Sequence, residues 1–300
     1  MVNHTLKKRL KSFAYALGKS LGIIGLVYLF YALYQEYTFS SFIENFYTIA
    51  HILPQLFILN ILSILIGILA WHYMLTHYAQ NPFKYLLSYY YFCKTEVAKY
   101  LPGNIFHFLG RQALASKVGI TQSQMAKSSL LFTLLLLSAT ILASTLFTLF
   151  VTEIPTVIMI LMILASLVTF IGLIFIYKSF PLMQKIKMNI LLTLSISLQG
   201  IMLGMIVISQ LEEPTLQLFL LVASIYIVSW LIGFVTPGAS GGLGVREGSF
   251  IAMMNYLEVN IATDIIIFSV LLVRLINIFT DILTYLSTFL LSSKINKADM

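Results

Sequence analysis

The sequence predicts an all-α, polytopic integral membrane bundle, and three observations carry that prediction. Hydrophobic residues make up 59% of the chain and charged residues only 10%, against roughly 25% charged in soluble domains. Apolar runs of about 20 residues recur along the whole length, each long enough to cross the hydrocarbon core as a helix. No stretch shows the alternation over about ten positions that marks a membrane β-strand. All 300 residues therefore read as one transmembrane domain with no soluble domain.

The elements follow in order. Lys7, Lys8, Arg9, Lys11 and Lys19 precede an apolar run from about Leu21 to Tyr34, like the head of a signal peptide. No small-x-small cleavage site follows, so the run is read as an uncleaved first helix with a cytoplasmic N-terminus, leaving Glu36 and Glu44 in an outer loop. A second helix from about Ile52 to Leu75 returns the chain near His77 and Lys84. Further membrane helices are expected near 128–151, 154–177, 189–210 and 215–235, with Glu153 and Glu212-Glu213 in outer loops. Lys178, Lys185 and Lys187 fall in the loop that the positive-inside rule makes cytoplasmic. The last run, about Ile261 to Leu291, exceeds one perpendicular crossing and must tilt or project. If residues 236–260 also cross, Glu258 and Asp264 lie outside and the tail with Lys294 and Lys297 inside. That is the preferred topology, of about seven or eight passes.

The formal charge of +7 sits at the ends of apolar runs, where it sets orientation and meets anionic lipid heads; no nucleic-acid partner is implied. The single cysteine, Cys93, excludes an internal disulfide and is read as helix packing. Without an H-E-x-x-H or EF-hand pattern, neither metal nor cofactor is expected.

Two stretches break the apolar pattern. Residues 235–247 include Pro237, Gly238, Gly242, Gly244, Arg246 and Glu247. Proline removes a backbone donor and glycine favours no helix, so this is no continuous membrane helix. Two readings fit: a surface loop, or the floor of a polar site, since bare backbone at membrane depth is tolerated only in protein or beside a wet cavity. The earlier break holds Pro102, Gly103, Asn104, His107 and Arg111, with His107 and Arg111 four apart on one helical face. Before it, residues 82–100 form an amphipathic helix that lies in the interface or lines a cavity, with Glu96 and Lys99 spaced to pair. Each break has an Arg nine residues after its Pro, the pattern of discontinuous helices that build a midplane site. Four crossings between the breaks make both open on one face, against a simple inverted repeat.

Arg274, Asn277 and Asp281 share one face of the final run. Charges there cost about 2.5 to 3.5 kcal/mol each on insertion scales, so they should face the bundle and find partners. They form either a structural pair within the helix or, with Arg111 and Arg246, a basic pocket for a phosphate or carboxylate head. A protease reading is weaker. Gly238-Ala239-Ser240-Gly241 fits a rhomboid-like G-x-S-G, and His72, His77 and Asn81 fit that family's early spacing. No His follows the Ser to act as its base, because none occurs beyond His107. The chain is read as no enzyme.

At Lys99-Tyr100-Leu101-Pro102-Gly103-Asn104 with Arg111 and Gly119, and at Pro237-Gly238 through Gly242-Leu243-Gly244-Val245-Arg246-Glu247, the chain resembles the lysylphosphatidylglycerol synthase transmembrane-region family. This is the flippase-like membrane part of bacterial multiple-peptide-resistance proteins, also found as stand-alone proteins. The resemblance implies a multi-pass protein of the bacterial inner membrane that binds the head of an anionic phospholipid or polyprenyl glycolipid and moves or presents it, in envelope lipid or glycolipid biogenesis. An alternative is a scaffold for an envelope glycosyltransferase, without transport. Ala239-Ser240-Gly241 interrupt the family's usual Pro-Gly-Gly-Leu-Gly block. The aminoacyltransferase domain of longer relatives does not occur in this sequence, so no lipid aminoacylation is implied. Lipid identity, direction and oligomeric state do not follow from the residues.

Overall fold

The computed structural model describes residues 39–79, 84–100, 106–114, 117, 119–152, 154–175, 178, 180–236, 242–259 and 261–292. The first helix expected at 21–34, Glu153 and the basic tail lie outside them. Within the described residues the chain is helical throughout: α1 (Phe39–Ile49), α2 (Leu53–Tyr78), α3 (Tyr85–Glu96), α4 (Phe106–Ala113), α5 (Gln122–Thr148), α6 (Thr156–Phe175), α7 (Leu182–Ile208), α8 (Leu216–Val235), α9 (Val245–Tyr256) and α10 (Thr263–Ser292). Six helices among the described residues are long and apolar enough to cross a membrane, the first running on from α1 into α2. This makes the chain a multi-pass membrane protein. Glu44, expected in a loop, is part of α1, because no helix breaker separates it from the apolar run.

Starts are set locally. Thr121 caps α5 by accepting from Gln124 N–H at 3.3 Å, while the Gln124 side chain accepts from Thr121 N–H at 2.9 Å. This reciprocal cap explains why α5 begins six residues ahead of its apolar run. Thr215 caps α8 in the simpler way, accepting from Leu218 N–H at 3.1 Å. Lys185 and Lys187, expected in a loop, lie instead in the first turns of α7. Buried Lys185 donates to the Leu173 and Ile174 carbonyls at 2.9 and 3.3 Å, satisfying the end of α6, which is why a cation is accepted there.

Helix α7 is central, packed on α2, α5, α8 and α10. It meets α8 at the closest approach: a Cβ at Gly200 would stand 3.1 Å from the Ala223 carbonyl, and one at Gly204 would stand 2.6 Å from the Phe219 ring. Such small-xxx-small faces let membrane helices pack backbone to backbone. A lateral polar seam, Ser144, Thr148 and Ser224, ties α5 to α8 with hydroxyl pairs at 2.8 and 2.9 Å.

Two apolar clusters occupy opposite ends of the bundle. One gathers Leu56, Val151, Ile206, Leu221, Met254 and Ile261, with Ile154, Leu211 and Val259 against it. The other gathers Trp71, Leu87, Ile120, Met125, Phe180 and Met188, with Tyr78, Leu114 and Leu291 against it. Beside the first cluster lie Glu212, Glu213 and Glu258 in loops and Asp264 at the start of α10; beside the second lie Lys84, Lys117 and Lys178 in loops and Lys127 in the first turns of α5. Helices α3, α4 and α9, with 12, 8 and 12 residues, reach about 18, 12 and 18 Å at about 1.5 Å per residue. None alone spans the roughly 30 Å of hydrocarbon.

Candidate functional site

Between the two apolar clusters the helices also carry polar residues, and there they surround a cavity of about 220 Å³. Its walls come from the middle of α2 (Asn60, Ser63, Gly67), of α7 (Ser195, Gln199) and of α10 (Arg274, Asn277, Asp281), together with both broken segments.

The first broken segment supplies a chain of ion pairs. Helix α3 ends at Glu96, and a tight 3-10 turn, Val97–Tyr100, swings Lys99 and Tyr100 inward. Lys99 Nζ lies 3.3 Å from Glu96 Oε1 and 2.8 Å from Asp281 Oδ2. Tyr100 donates its hydroxyl to the same Asp281 oxygen at 2.6 Å. On α4, Arg111 Nη2 reaches Glu96 Oε2 at 2.7 Å. Buried charges persist only when paired, and here one network joins α3, α4 and α10. The Arg111 guanidinium also sits among four rings, Phe92 at 4.5 Å, Trp71 at 5.4 Å, Phe132 at 5.8 Å and Phe108 at 5.9 Å. Cation–π attraction of this kind strengthens when water is excluded. Nδ1 of His107 and Nε of Arg111 are buried and make no hydrogen bond to a described residue.

The second broken segment is built on its glycines. Gly242 and Gly244 take φ of +74° and +77°, a region that L side chains rarely adopt. Gly242 also lies against the Gly233 backbone at the end of α8, where a Cβ would meet it at 3.2 Å. The turn places Gly244 N–H to donate to Glu247 Oε2 at 2.7 Å. The other oxygen of Glu247, a residue only 1% exposed, accepts from Arg274 Nη1 of α10. Arg246 faces the cavity beside Trp230, its guanidinium 5.7 Å from the ring. Trp230 in turn stacks on Phe234 at 5.0 Å.

The expected site residues thus divide into three groups. His107, Arg111, Arg246, Arg274, Asn277 and Asp281 line one cavity. Gly242, Gly244 and Glu247 stand behind that lining as its support. Pro102, Gly103, Asn104, Pro237 and Gly238 lie outside the described residues, as does Ser240. The cations of the expected basic pocket are accompanied by Glu96, Asp281 and Glu247. Desolvated guanidinium groups require such partners. Arg274 and Asp281 do not pair within their helix; each reaches a different broken segment. Helix α3 presents Phe92, Cys93 and Glu96 to the cavity, so of its two readings the lining one fits.

Sequence reasoning passed over the neutral part of the wall. Gln199 Nε2 donates to Asn60 Oδ1 at 2.8 Å and to Ser63 Oγ at 3.1 Å. Asn60 donates onward to Thr280 Oγ1 at 3.0 Å. The signal was present, since Asn60 and Gln199 interrupt otherwise apolar runs. The ring cage around Arg111 had none, because its four aromatics come from four helices. For the protease reading, His72 Nδ1 is hydrogen-bonded at 2.8 Å to Ser88 Oγ, and Ser88 is fully buried, so this pair ties α2 to α3.

Fold and cavity together define a polytopic helical membrane protein with a charged hollow at mid-length of its longest helices. Comparison with known family models, with curated proteins and with solved structures returns no match.

Proposed function

We propose that the chain binds the head of an anionic phospholipid or glycolipid in this cavity and moves or presents it across a bacterial inner membrane, in envelope lipid or glycolipid biogenesis. The reading carries forward the resemblance to the lysylphosphatidylglycerol synthase transmembrane-region family. The single observation behind it is that cations from both broken segments line one cavity between two apolar end clusters. Discontinuous helices that meet at mid-depth are the common device for binding a polar substrate inside a bilayer.

The same observations support a topology. Leu87 before the first break and Leu114 after it belong to one end cluster, as expected of a re-entrant α3–α4 hairpin. Helix α9 leads back to Leu257 and Val259 at the other end, as expected of a broken crossing. Basic loops at one end make that end cytoplasmic. With the first apolar run, the count becomes eight passes and the N-terminus is cytoplasmic.

Arg246→Gln and Arg111→Gln chains, purified and reconstituted in vesicles, are expected to lose translocation of a fluorescent anionic lipid, read by dithionite quenching. Unchanged rates in both variants would sink the transport reading. The scaffold alternative draws on α6, whose apolar side chains, among them Leu161, Val168 and Phe175, are mostly uncovered by the rest of the chain. It requires recruitment of a glycosyltransferase to survive both substitutions.

A further inference from the structure

Two carboxylates at the cavity are held in different ways. Glu96 takes its cations from its own stretch of chain, Lys99 in the turn that follows and Arg111 on α4, at 3.3 and 2.7 Å. Asp281, 5% exposed, is held from outside its helix: Lys99 Nζ at 2.8 Å and the Tyr100 hydroxyl at 2.6 Å both come from the turn after α3. When that turn draws away from α10, Glu96, Lys99 and Arg111 travel together and stay paired, whereas Asp281 loses both contacts at once. A carboxylate stranded in a mostly apolar hollow is too costly to stay charged and takes up a proton instead.

The ties of α3 show where such a movement occurs. Near its start the helix is fastened: Tyr85 donates to the Leu65 carbonyl at 2.9 Å, Ser88 pairs with His72 at 2.8 Å, and Tyr89 pairs with Ser287 at 2.8 Å. Its far end is tied to α10 through Asp281. On α4, His107 Nδ1 and Arg111 Nε are buried and make no hydrogen bond to a described residue. Buried polar atoms are nearly always satisfied, so two unmet ones make this an easier seat to leave. Towards the basic end a polar strip leads away from Asp281, with Thr284 at the cavity wall and then the Ser287–Tyr89 pair. Towards the acidic end α10 buries Val273, Val270, Ile267 and Ile266 instead, so a proton reaches Asp281 from the basic end. The other charged or titratable groups at the cavity are Cys93 and Glu96 on α3, His107 and Arg111 on α4, Arg246 on α9 and Arg274 on α10; α2 and α7 present only neutral amides and hydroxyls among their polar groups.

We infer that Asp281 is a proton-binding site and that uptake of one proton there releases the Val97–Tyr100 turn from α10. The inference rests on the transport reading above and deepens it by making the proton the coupling ion. Protonation of the carboxylate frees the first broken segment to move, and the proton leaves again when Lys99 and Tyr100 return to the carboxylate. Ionisable residues inside membrane helices serve other transporters as proton relays.

Cys93 lies on α3 one turn before Glu96, is buried at the cavity wall and is the only cysteine of the sequence, so it reports the separation without an added label. Its reaction with dipyridyl disulfide, which stays reactive in acid, is followed in the full chain in detergent micelles and divided at each pH by the rate for the unfolded chain, with helix content checked by circular dichroism. As pH falls this ratio is expected to rise by about tenfold per unit, the slope that a single proton sets. Asp281→Asn, neutral at every pH, should expose Cys93 throughout and remove the slope. Tyr100→Phe keeps Lys99 but loses one contact to Asp281, so its rise should begin at higher pH; this variant carries the test should Asp281→Asn not fold. A ratio flat with pH in the unaltered chain, or a Tyr100→Phe profile that coincides with it, overturns the proton site. A flat ratio while Arg111→Gln and Arg246→Gln still lose lipid translocation leaves the transport reading standing without it. A sloped ratio with translocation untouched in both variants keeps the proton site and sinks the transport reading.

Discussion

At Glu247 one carboxylate holds two things together. One oxygen accepts from Gly244 N–H and so starts α9, and the other meets Arg274 of α10. Replacing it by Gln keeps an acceptor for the Gly244 amide but removes the carboxylate charge that Arg274 meets. Removing one member of a buried pair costs about 3 to 5 kcal/mol. Arg274 is 12% exposed and borders the cavity, so the lower end, about 3 kcal/mol, is expected for Glu247→Gln in thermal unfolding of the detergent-solubilised chain. The double variant with Arg274→Gln should recover most of the loss, because the cation is then removed together with the carboxylate it met. Equal loss in the single and double variants would mean that the pair is not what matters. Arg111 shows the complementary case: it is 3% exposed, paired once among the described residues, and enclosed by rings that tolerate a cation better than aliphatic walls would.

Among the elements, α7 and α8 depend on having no side chain where they touch. An Ile at Gly204 would drive its Cβ into the Phe219 ring and crowd the Phe219 carbonyl at 3.3 Å. Overpacking of this kind costs about 1 to 3 kcal/mol. Gly204→Ile should therefore lower the melting temperature, while the same change at Gly172, with nothing within 4 Å of its Cβ, should not. An unaltered melting point for Gly204→Ile would refute close α7–α8 packing. Helix α10 has a different part. Arg274 and Asp281, two turns apart on one face, reach the second and the first broken segments respectively. Both breaks are thereby attached to one rigid rod, and any movement of α10 carries both walls of the cavity.

For the whole molecule, charge sorts by end. Glu212 and Glu213 lie with the apolar cluster around Val151 and Ile261, Lys127 with the cluster around Ile120 and Met125. Cys93 is buried, so a cysteine introduced at an exposed position is the accessible thiol. Glu213→Cys is expected to react with a membrane-impermeant maleimide added outside intact cells, and Lys127→Cys only after the membrane is opened. Labelling of both from outside would contradict the topology.

How much of this was legible in the residues divides along a physical line. The membrane class, the long helices and the places where they break follow from properties local in the chain: apolar run length, proline and glycine chemistry, and where lysines and glutamates fall. Even the cavity's charged residues could be picked out, since an ion inside an apolar run must face protein. Partnership could not. That Arg111 takes Glu96, that Arg274 takes Glu247 rather than Asp281, and that four helices send rings to one guanidinium depend on how separate helices pack. Chain pattern alone carries no such distances. The same gap explains why carboxylates turn out to accompany the cations of a pocket read as basic: counting charges needs only composition, but knowing which of them share one low-dielectric space needs the fold.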